Sequence, residues 1–195
     1  MNLFERVKQI IIAPKSEWQT IDSENTPAQV LLFKYLLILA LIPAVATFIG
    51  YGVMGVSYTE VIHSNASIGI GLRQGIISYA STILSVYLAS WVIGFLAPSF
   101  GSQKDFGRAF TLVVYAYTPS LVAGVVLIFP SMAFVQMVAG IYGLYILYLG
   151  LQPMMKTPED KQPIYFLISL LVIILVTIAI SAIFAAIFFT QYLMY

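Results

Sequence analysis

The feature that most constrains this chain is a series of long segments without a charged residue. Asp, Glu, Lys, Arg and His are absent from residues 35–51, 74–103, 109–155 and 162–195. About 20 consecutive apolar residues are enough to cross the hydrocarbon core of a bilayer as a helix. With 61% hydrophobic and 9% charged residues among 195, the chain has more apolar surface than a soluble domain of this size buries. The sequence therefore predicts an integral membrane protein.

Hydrophobic segments separated by polar loops predict an all-α, polytopic membrane protein with five transmembrane helices. Each loop contains charged or turn-forming residues that end one span and precede the next. Together the spans form a predicted membrane domain over residues 27–195. The predicted spans are 30–56, 72–98, 106–129, 132–152 and 164–189.

Residues 1–26 are predicted to form a cytoplasmic segment that contains an interfacial amphipathic helix over residues 2–13. Apolar residues follow helical spacing on one face, and Pro14 ends the pattern. Such a helix is too short to span, so we expect it to lie in the interface plane with Trp18 at headgroup depth. A disordered, partly basic tail is the alternative. The apolar face is assigned to Leu3, Phe4, Val7, Ile10 and Ile11, and the polar face to Glu5, Arg6, Lys8 and Gln9.

The distribution of basic residues predicts the orientation of the five spans. In this arrangement only Arg73 falls on the side opposite the N-terminus. Cytoplasmic loops of membrane proteins are enriched in Lys and Arg, so the N-terminus is predicted to be cytoplasmic and the C-terminus to lie outside. The basic residues on the cytoplasmic side are Arg6, Lys8, Lys15, Lys34, Lys104, Arg108, Lys156 and Lys161.

The predicted spans offer no residues for acid–base or metal chemistry. A proton relay, a carboxylate pair or a metal site inside the bilayer needs ionisable side chains, which mark function when they occur there. We therefore predict no enzyme activity and no catalytic, cofactor-binding or metal-binding residues. Lys34, Arg73 and Arg108 stand at span ends, where long side chains reach the headgroups. A net charge of +1 and the lack of cysteine give no indication of a nucleic-acid partner or of thiol chemistry.

Prolines, glycines and tyrosines within the spans are the candidate packing or groove residues. Pro43 and Pro119 each remove a backbone donor from a helix and leave an earlier carbonyl free. The favoured interpretation is a simple kink with close packing and internal hydrogen bonds, for which the carbonyl of Tyr115 is a candidate acceptor. The alternative is a groove for a lipid or an amphiphile. The candidates are Pro43, Tyr115, Pro119, Gly140, Tyr142, Gly143, Tyr145 and Tyr148, and Gly150 is also expected at a helix contact.

Three stretches resemble the bacterial branch of the Yip1 family. They are RVKQIIIAPKSEWQTI, AFTLVVYAYTPSLVAGVVLIFP and GIYGLYILYLGLQPMMKTPEDK, and the resemblance covers roughly residues 4–185. It implies a five-span bundle with a cytoplasmic N-terminus, located in the bacterial inner membrane with a periplasmic C-terminus. Eukaryotic members associate with Rab GTPases through a longer N-terminal region with an Asp-Leu-Tyr-Gly-Pro motif. This chain lacks that motif, so no Rab partner is expected.

Two functions remain open from the sequence. The leading hypothesis is a non-enzymatic inner-membrane protein that organises the membrane or partner proteins through its bundle and its interfacial helix. Its expected partners are the lipid bilayer and other membrane proteins or further copies of itself. The alternative is a small transporter or channel for a neutral or amphipathic solute or lipid, with the prolines and tyrosines along its path.

Overall fold

A computed structural model describes residues 2–57, 63–64, 66–175 and 178. The described chain is helical apart from two short paired segments, so the predicted all-α fold is confirmed. β1 (Val56–Ser57) pairs antiparallel with β2 (His63–Ser64) in the connection between the third and fourth helices. The helices are α1 (Leu3–Ile12), α2 (Pro14–Glu24), α3 (Ala28–Met54), α4 (Ile68–Phe100), α5 (Phe106–Ile128), α6 (Pro130–Met155) and α7 (Gln162–Leu175).

Within the described residues, the four helices α3 to α6 are long and apolar enough to cross a membrane. They correspond to the first four predicted spans, with ends that differ from the predicted ones by at most four residues. The shorter apolar helix α7 coincides with the start of the fifth predicted span. The remainder of that predicted span, apart from Ile178, lies outside the described residues.

The spans depart from regular α-helix at several points. α3 contains two π-helical turns, Leu32–Leu36 and Gly50–Met54, and α5 ends in a 3₁₀ segment, Gly124–Ile128. Pro43 and Pro119 lie inside α-helical segments that continue on both sides. Neither proline breaks its helix.

Small residues bring the spans close together. A Cβ on Gly71 of α4 would lie 2.5 Å from the Cα of Gly52 in α3, and one on Gly124 of α5 would lie 2.6 Å from the Cβ of Pro43. Small residues at such contacts allow helix backbones to approach in lipid, where packing drives association. Helix α5 lies at the centre of the bundle and has most of its residues buried.

The N-terminal helices α1 and α2 form a hairpin, called here the N-terminal hairpin (Leu3–Glu24), which shares one apolar core with the spans. Ile10 and Trp18 are almost fully buried in that core. The Trp18 Nε1 donates to the carbonyl of Ile146 at 3.1 Å, and the Tyr142 hydroxyl donates to the carbonyl of Ile11 at 2.7 Å. Both of these α6 residues lie in the interior of a candidate span.

The amphipathic helix is confirmed, but two details of its prediction are wrong. Trp18 is not an anchor at headgroup depth, because it is only 1% exposed and fills the space beside Gly150 of α6. Arg6 is not on a solvated face, because it is 4% exposed and faces acidic residues of α2. Of the predicted apolar face, Phe4 is 72% exposed, while its other members pack against the core.

Candidate functional site

The most unusual feature of the interior is a buried cluster of charges brought in by the N-terminal hairpin. The Arg6 guanidinium bonds both Glu17, which is 6% exposed, and Glu24. Arg6 follows Leu3 by three residues and precedes Ile10 by four, so it shares their helix face. A buried charge is tolerated only when it is paired and hydrogen-bonded, and α2 supplies both partners.

Electrostatics keep the Arg6 side chain charged in this site. Burial acts to lower the pKa of Arg6, but the hydrogen bond to Glu24 and the attraction of Glu17 hold that pKa above its ordinary value. The guanidinium carbon also lies 5.7 Å from the ring centroid of Tyr115, within the range of a cation–π contact. The hairpin charges therefore contact α5 directly.

Below the charges lies a cluster of aromatic rings from three different elements. The Tyr115 ring meets Trp18 edge-on with centroids 6.1 Å apart, and meets Tyr35 with centroids 4.9 Å apart. The Tyr35 and Thr118 hydroxyls are hydrogen-bonded at 2.8 Å. Edge-to-face arrangements of this kind are favourable for aromatic pairs, and this one links α2, α3 and α5.

A second set of ion pairs fastens the end of α2 to the spans. The Asp22 carboxylate binds Arg108 of α5 and, at 2.7 Å, the Nζ of Lys156. Arg108 also donates from Nε to the Met154 carbonyl at 2.6 Å. Burial acts to raise the pKa of Asp22, but hydrogen bonds from Lys156 and Arg108 outweigh it and lower that pKa. Arg108, which was predicted to reach the headgroups, instead holds the hairpin in place.

The candidate glycines have different surroundings. A Cβ on Gly143 would lie 2.5 Å from the Ala116 carbonyl oxygen, and one on Gly150 would overlap Leu112 and lie 2.6 Å from Cε2 of Trp18. A Cβ on Gly140 would meet only the Ser120 Oγ, at 4.0 Å. The expectation of a tight contact is therefore wrong for Gly140.

The three tyrosines of α6 differ in their contacts with other elements. Tyr142 donates to Ile11 in the hairpin rather than to the Tyr115 carbonyl. Tyr145 is 47% exposed, and Tyr148 meets the Phe166 ring of α7 edge-on with centroids 5.4 Å apart.

Two cavities are candidates for the predicted groove. An apolar cavity of about 240 Å³ lies between α4, α5, α6 and α7, and both Gly140 and Gly143 line it. A more polar cavity of about 310 Å³ lies between the hairpin, α3 and α5, and Tyr115 lines it. Neither is lined by Pro43, Pro119 or the three tyrosines of α6. The two cavities have no lining residue in common.

The residues that sequence patterning missed are those of the hairpin. Arg6 and Glu17 are each surrounded, at helical spacing, by apolar residues that are buried, such as Ile10 and Ile21. This placement of charged residues among apolar ones is the sequence signal by which the buried charges could have been found. A charged residue within an apolar face indicates a buried partner and not a solvated face.

This architecture defines a class of protein: a helical membrane bundle with an N-terminal hairpin that is docked through buried ion pairs. The family model of the Yip1 domain matches residues 8–181, so the chain belongs to the Yip1 family. It is 25% identical over 151 residues to the inner membrane protein YohC of Escherichia coli strain K12, which covers 76% of this chain and 77% of that protein. The protein of the same name from E. coli O6:H1 strain CFT073 matches over the same shares. No solved structure matches this chain significantly.

Proposed function

We propose that this protein is a non-enzymatic inner-membrane protein that organises partner membrane proteins around its bundle. The observation that supports this most is the outer face of α6. In the described part of the chain, this helix has a smaller buried share than the other three candidate spans. Its large apolar side chains form an outward row that is open to a neighbouring helix, and van der Waals packing drives helix association in lipid. The row consists of Phe134, Met137, Ile141 and Tyr145.

The polar groups of the interior are consistent with this role. Arg6 is bonded to Glu17 and Glu24, and Tyr35 is bonded to Thr118. These bonds fix one element of the protein to another. Bonds that join the elements of the bundle to one another support a scaffold role.

The partner role is tested by photo-crosslinking in the inner membrane of living cells. A photoreactive amino acid at Ile141 should give discrete protein adducts, either with another protein or with a second copy. The control position is Phe95 of α4, which is 61% exposed and should give lipid adducts alone. Lipid adducts alone from both positions contradict the proposal.

For orientation we propose a cytoplasmic N-terminus and a periplasmic C-terminus. Eight of the nine Lys and Arg residues fall on one side of a five-span arrangement, and the name of the relative places that protein in an inner membrane. A C-terminal alkaline phosphatase fusion should be active, and a C-terminal fluorescent-protein fusion exported in unfolded form should be dark. The reverse pattern contradicts this orientation.

The second candidate function is transport of an amphiphile, and the apolar cavity of about 240 Å³ favours it. A cavity of this size accommodates part of an alkyl chain. If the cavity is a passage, protein in liposomes should accelerate the flip of a fluorescent lipid, and Gly140→Phe should abolish the effect by filling the space. Wild-type liposomes that flip the lipid no faster than empty ones contradict this second candidate.

A further inference from the structure

The polar cavity of about 310 Å³ lies where the N-terminal hairpin meets the first span. Its walls come from both ends of the hairpin, from the start of α3 and from the middle of α5. It carries opposite charges and hydroxyl groups next to apolar side chains. The polar and aromatic residues of the wall are Arg6, Glu24, Thr26, Lys34, Tyr35 and Tyr115.

The charged side chains of this cavity differ in whether they already have an ion-pair partner. Arg6 is bonded to both Glu17 and Glu24, whereas Lys34 makes no ion pair with any residue that the structure describes. Glu24 accepts from Arg6 through Oε2, and its side chain is 35% exposed. A carboxylate has about four lone-pair sites, so Glu24 can accept a further donor. Lys34 and Glu24 line the same space without bridging it.

These four charged groups balance one another. Arg6 and Lys34 carry two positive charges, and Glu17 and Glu24 carry two negative charges. A simple anion would gain Lys34 but would also face Glu24, and a simple cation would face Lys34. The ligand that satisfies both Lys34 and the remaining acceptor sites of Glu24 carries a negative and a positive charge.

The local backbone places Lys34 at the mouth of this cavity. Lys34 and Tyr35 belong to the π-helical turn Leu32–Leu36, and such turns occur frequently at functional sites. The Tyr35 hydroxyl is held inside the bundle by Thr118 at 2.8 Å. Its neighbour Lys34 is exposed.

An apolar surface leads away from the cavity along the outside of α3. Phe33, beside Lys34, is 65% exposed. Further exposed side chains follow on the same outer surface of the helix, so an alkyl chain can lie against them while its headgroup occupies the cavity. They are Ile38, Leu41 and Val45.

We propose that this cavity binds the headgroup of a zwitterionic phospholipid with a primary ammonium group. The phosphate pairs with Lys34, the ammonium donates to Glu24, and an acyl chain follows the outer surface of α3. A primary ammonium has three donors, whereas a quaternary ammonium has none. The site should therefore prefer phosphatidylethanolamine to phosphatidylcholine. This inference does not depend on the proposed partner role.

The test is lipid binding by the purified full-length protein in detergent after removal of bound lipid. Phosphatidylethanolamine, phosphatidylcholine and phosphatidylglycerol with identical acyl chains are titrated, and each Kd is measured by native mass spectrometry. Wild-type protein should bind phosphatidylethanolamine about tenfold more tightly than the other two, since one added charged hydrogen bond is worth about this factor. The variant Lys34→Gln should bind phosphatidylethanolamine about tenfold more weakly than wild type does. The variant Lys34→Arg should restore most of the lost affinity.

The control variant is Lys104→Gln, which removes an exposed cation that does not line the cavity and should leave all three affinities unchanged. Glu24→Gln should remove the preference for phosphatidylethanolamine over phosphatidylcholine. Because Glu24 also binds Arg6, the decisive variants are those of the exposed Lys34, which keep the hairpin ion pairs. Equal affinity for the three lipids, tighter binding of phosphatidylglycerol, or equal losses in Lys34→Gln and Lys104→Gln would each overturn the proposal.

Discussion

Two glycines less than one helical turn apart in α6 both line the apolar cavity, but a Cβ at each would meet different atoms. Gly143 faces the backbone of α5, where a Cβ would lie 2.5 Å from the Ala116 carbonyl oxygen. Gly140 faces the apolar cavity, where the nearest atom to a Cβ is the Ser120 Oγ at 4.0 Å. A backbone carbonyl cannot rotate away as a flexible side chain can. The same substitution should therefore have different effects at the two positions.

Gly143→Ala should destabilise the bundle by about 1–3 kcal/mol, the usual cost of overpacking. Gly140→Ala should be neutral or stabilising by up to about 1 kcal/mol, because alanine favours helix without a clash there. Unfolding in mixed micelles, monitored by circular dichroism, measures both. Equal stability of the two variants contradicts the contact between α5 and α6 at Gly143.

Arg6 is the residue at which prediction from the sequence failed most clearly. Its neighbours Glu5 and Lys8 are exposed, as predicted for a polar face, but Arg6 itself is 4% exposed. Composition cannot distinguish a solvated arginine from a buried one whose partners lie 11 and 18 residues further along the chain. Those partners are fixed only when α2 folds back on α1.

Arg6→Gln should lower the free energy of unfolding by about 3–5 kcal/mol, the loss expected when one partner of a buried ion pair is removed. The remaining Glu17 carboxylate is then buried without its counter-charge. The double variant Arg6→Gln/Glu17→Gln should be more stable than the sum of the single losses implies. The matched control is Lys8→Gln on the exposed face of α1, which should change stability by less than about 0.5 kcal/mol. Strict additivity would falsify the coupling.

The N-terminal hairpin could be predicted in part. The apolar periodicity of α1 and the proline that ends it were readable, but the helix α2 that begins at Pro14 was not predicted. The position of the hairpin was not readable, because Trp18 serves equally well at a membrane interface or in a core. Gly150 decides between these environments, since the absence of its side chain leaves room for the indole ring. That complementarity joins residues far apart in sequence.

The attachment of α2 to the spans should depend on pH through Asp22. The pKa of this carboxyl is lowered in the folded protein from its ordinary value of 3.8. Its stabilising contribution is therefore fully present above that ordinary value and is lost as pH falls through the lowered pKa. The contribution should not exceed about 1 kcal/mol, because the carboxylate is partly exposed.

Thermal unfolding of wild type and Asp22→Asn between pH 7 and pH 3 tests this dependence. Wild type should be the more stable protein at pH 7, and the difference should shrink below the ordinary pKa of aspartate. Asp160→Asn is the control, since Asp160 is exposed and makes no ion pair in the described chain. A constant difference across the pH range contradicts the ion pairs of Asp22.

The charges of the whole bundle are distributed unequally between the spans and the N-terminal hairpin. The spans themselves carry none over residues 74–103 and 109–155, and this property made the positions of the first four spans readable from the sequence. The charges inside the structure arrive with the hairpin, where Arg6 and Glu17 are bonded to each other. Hydrophobic patterning places Arg6 within an apolar face but cannot identify its partners, because it describes each helix separately, whereas the pairing is a property of the assembled bundle.

This division predicts that the protein does not conduct protons or metal ions. A charged relay needs ionisable groups that exchange a proton or coordinate an ion along a continuous path through the bilayer. Among the residues that the structure describes, Glu17 is the one buried acid, but it is engaged with Arg6, and no acid lies within residues 109–155. Reconstituted liposomes should hold an imposed pH gradient as long as empty liposomes do and should carry no electrogenic current.

Addition of an ionophore serves as the positive control for a collapsing gradient. A current that Glu17→Gln or Arg108→Ala abolishes would contradict this prediction, because it would require the hairpin charges to open during transport, and the protein would then belong with the transporters.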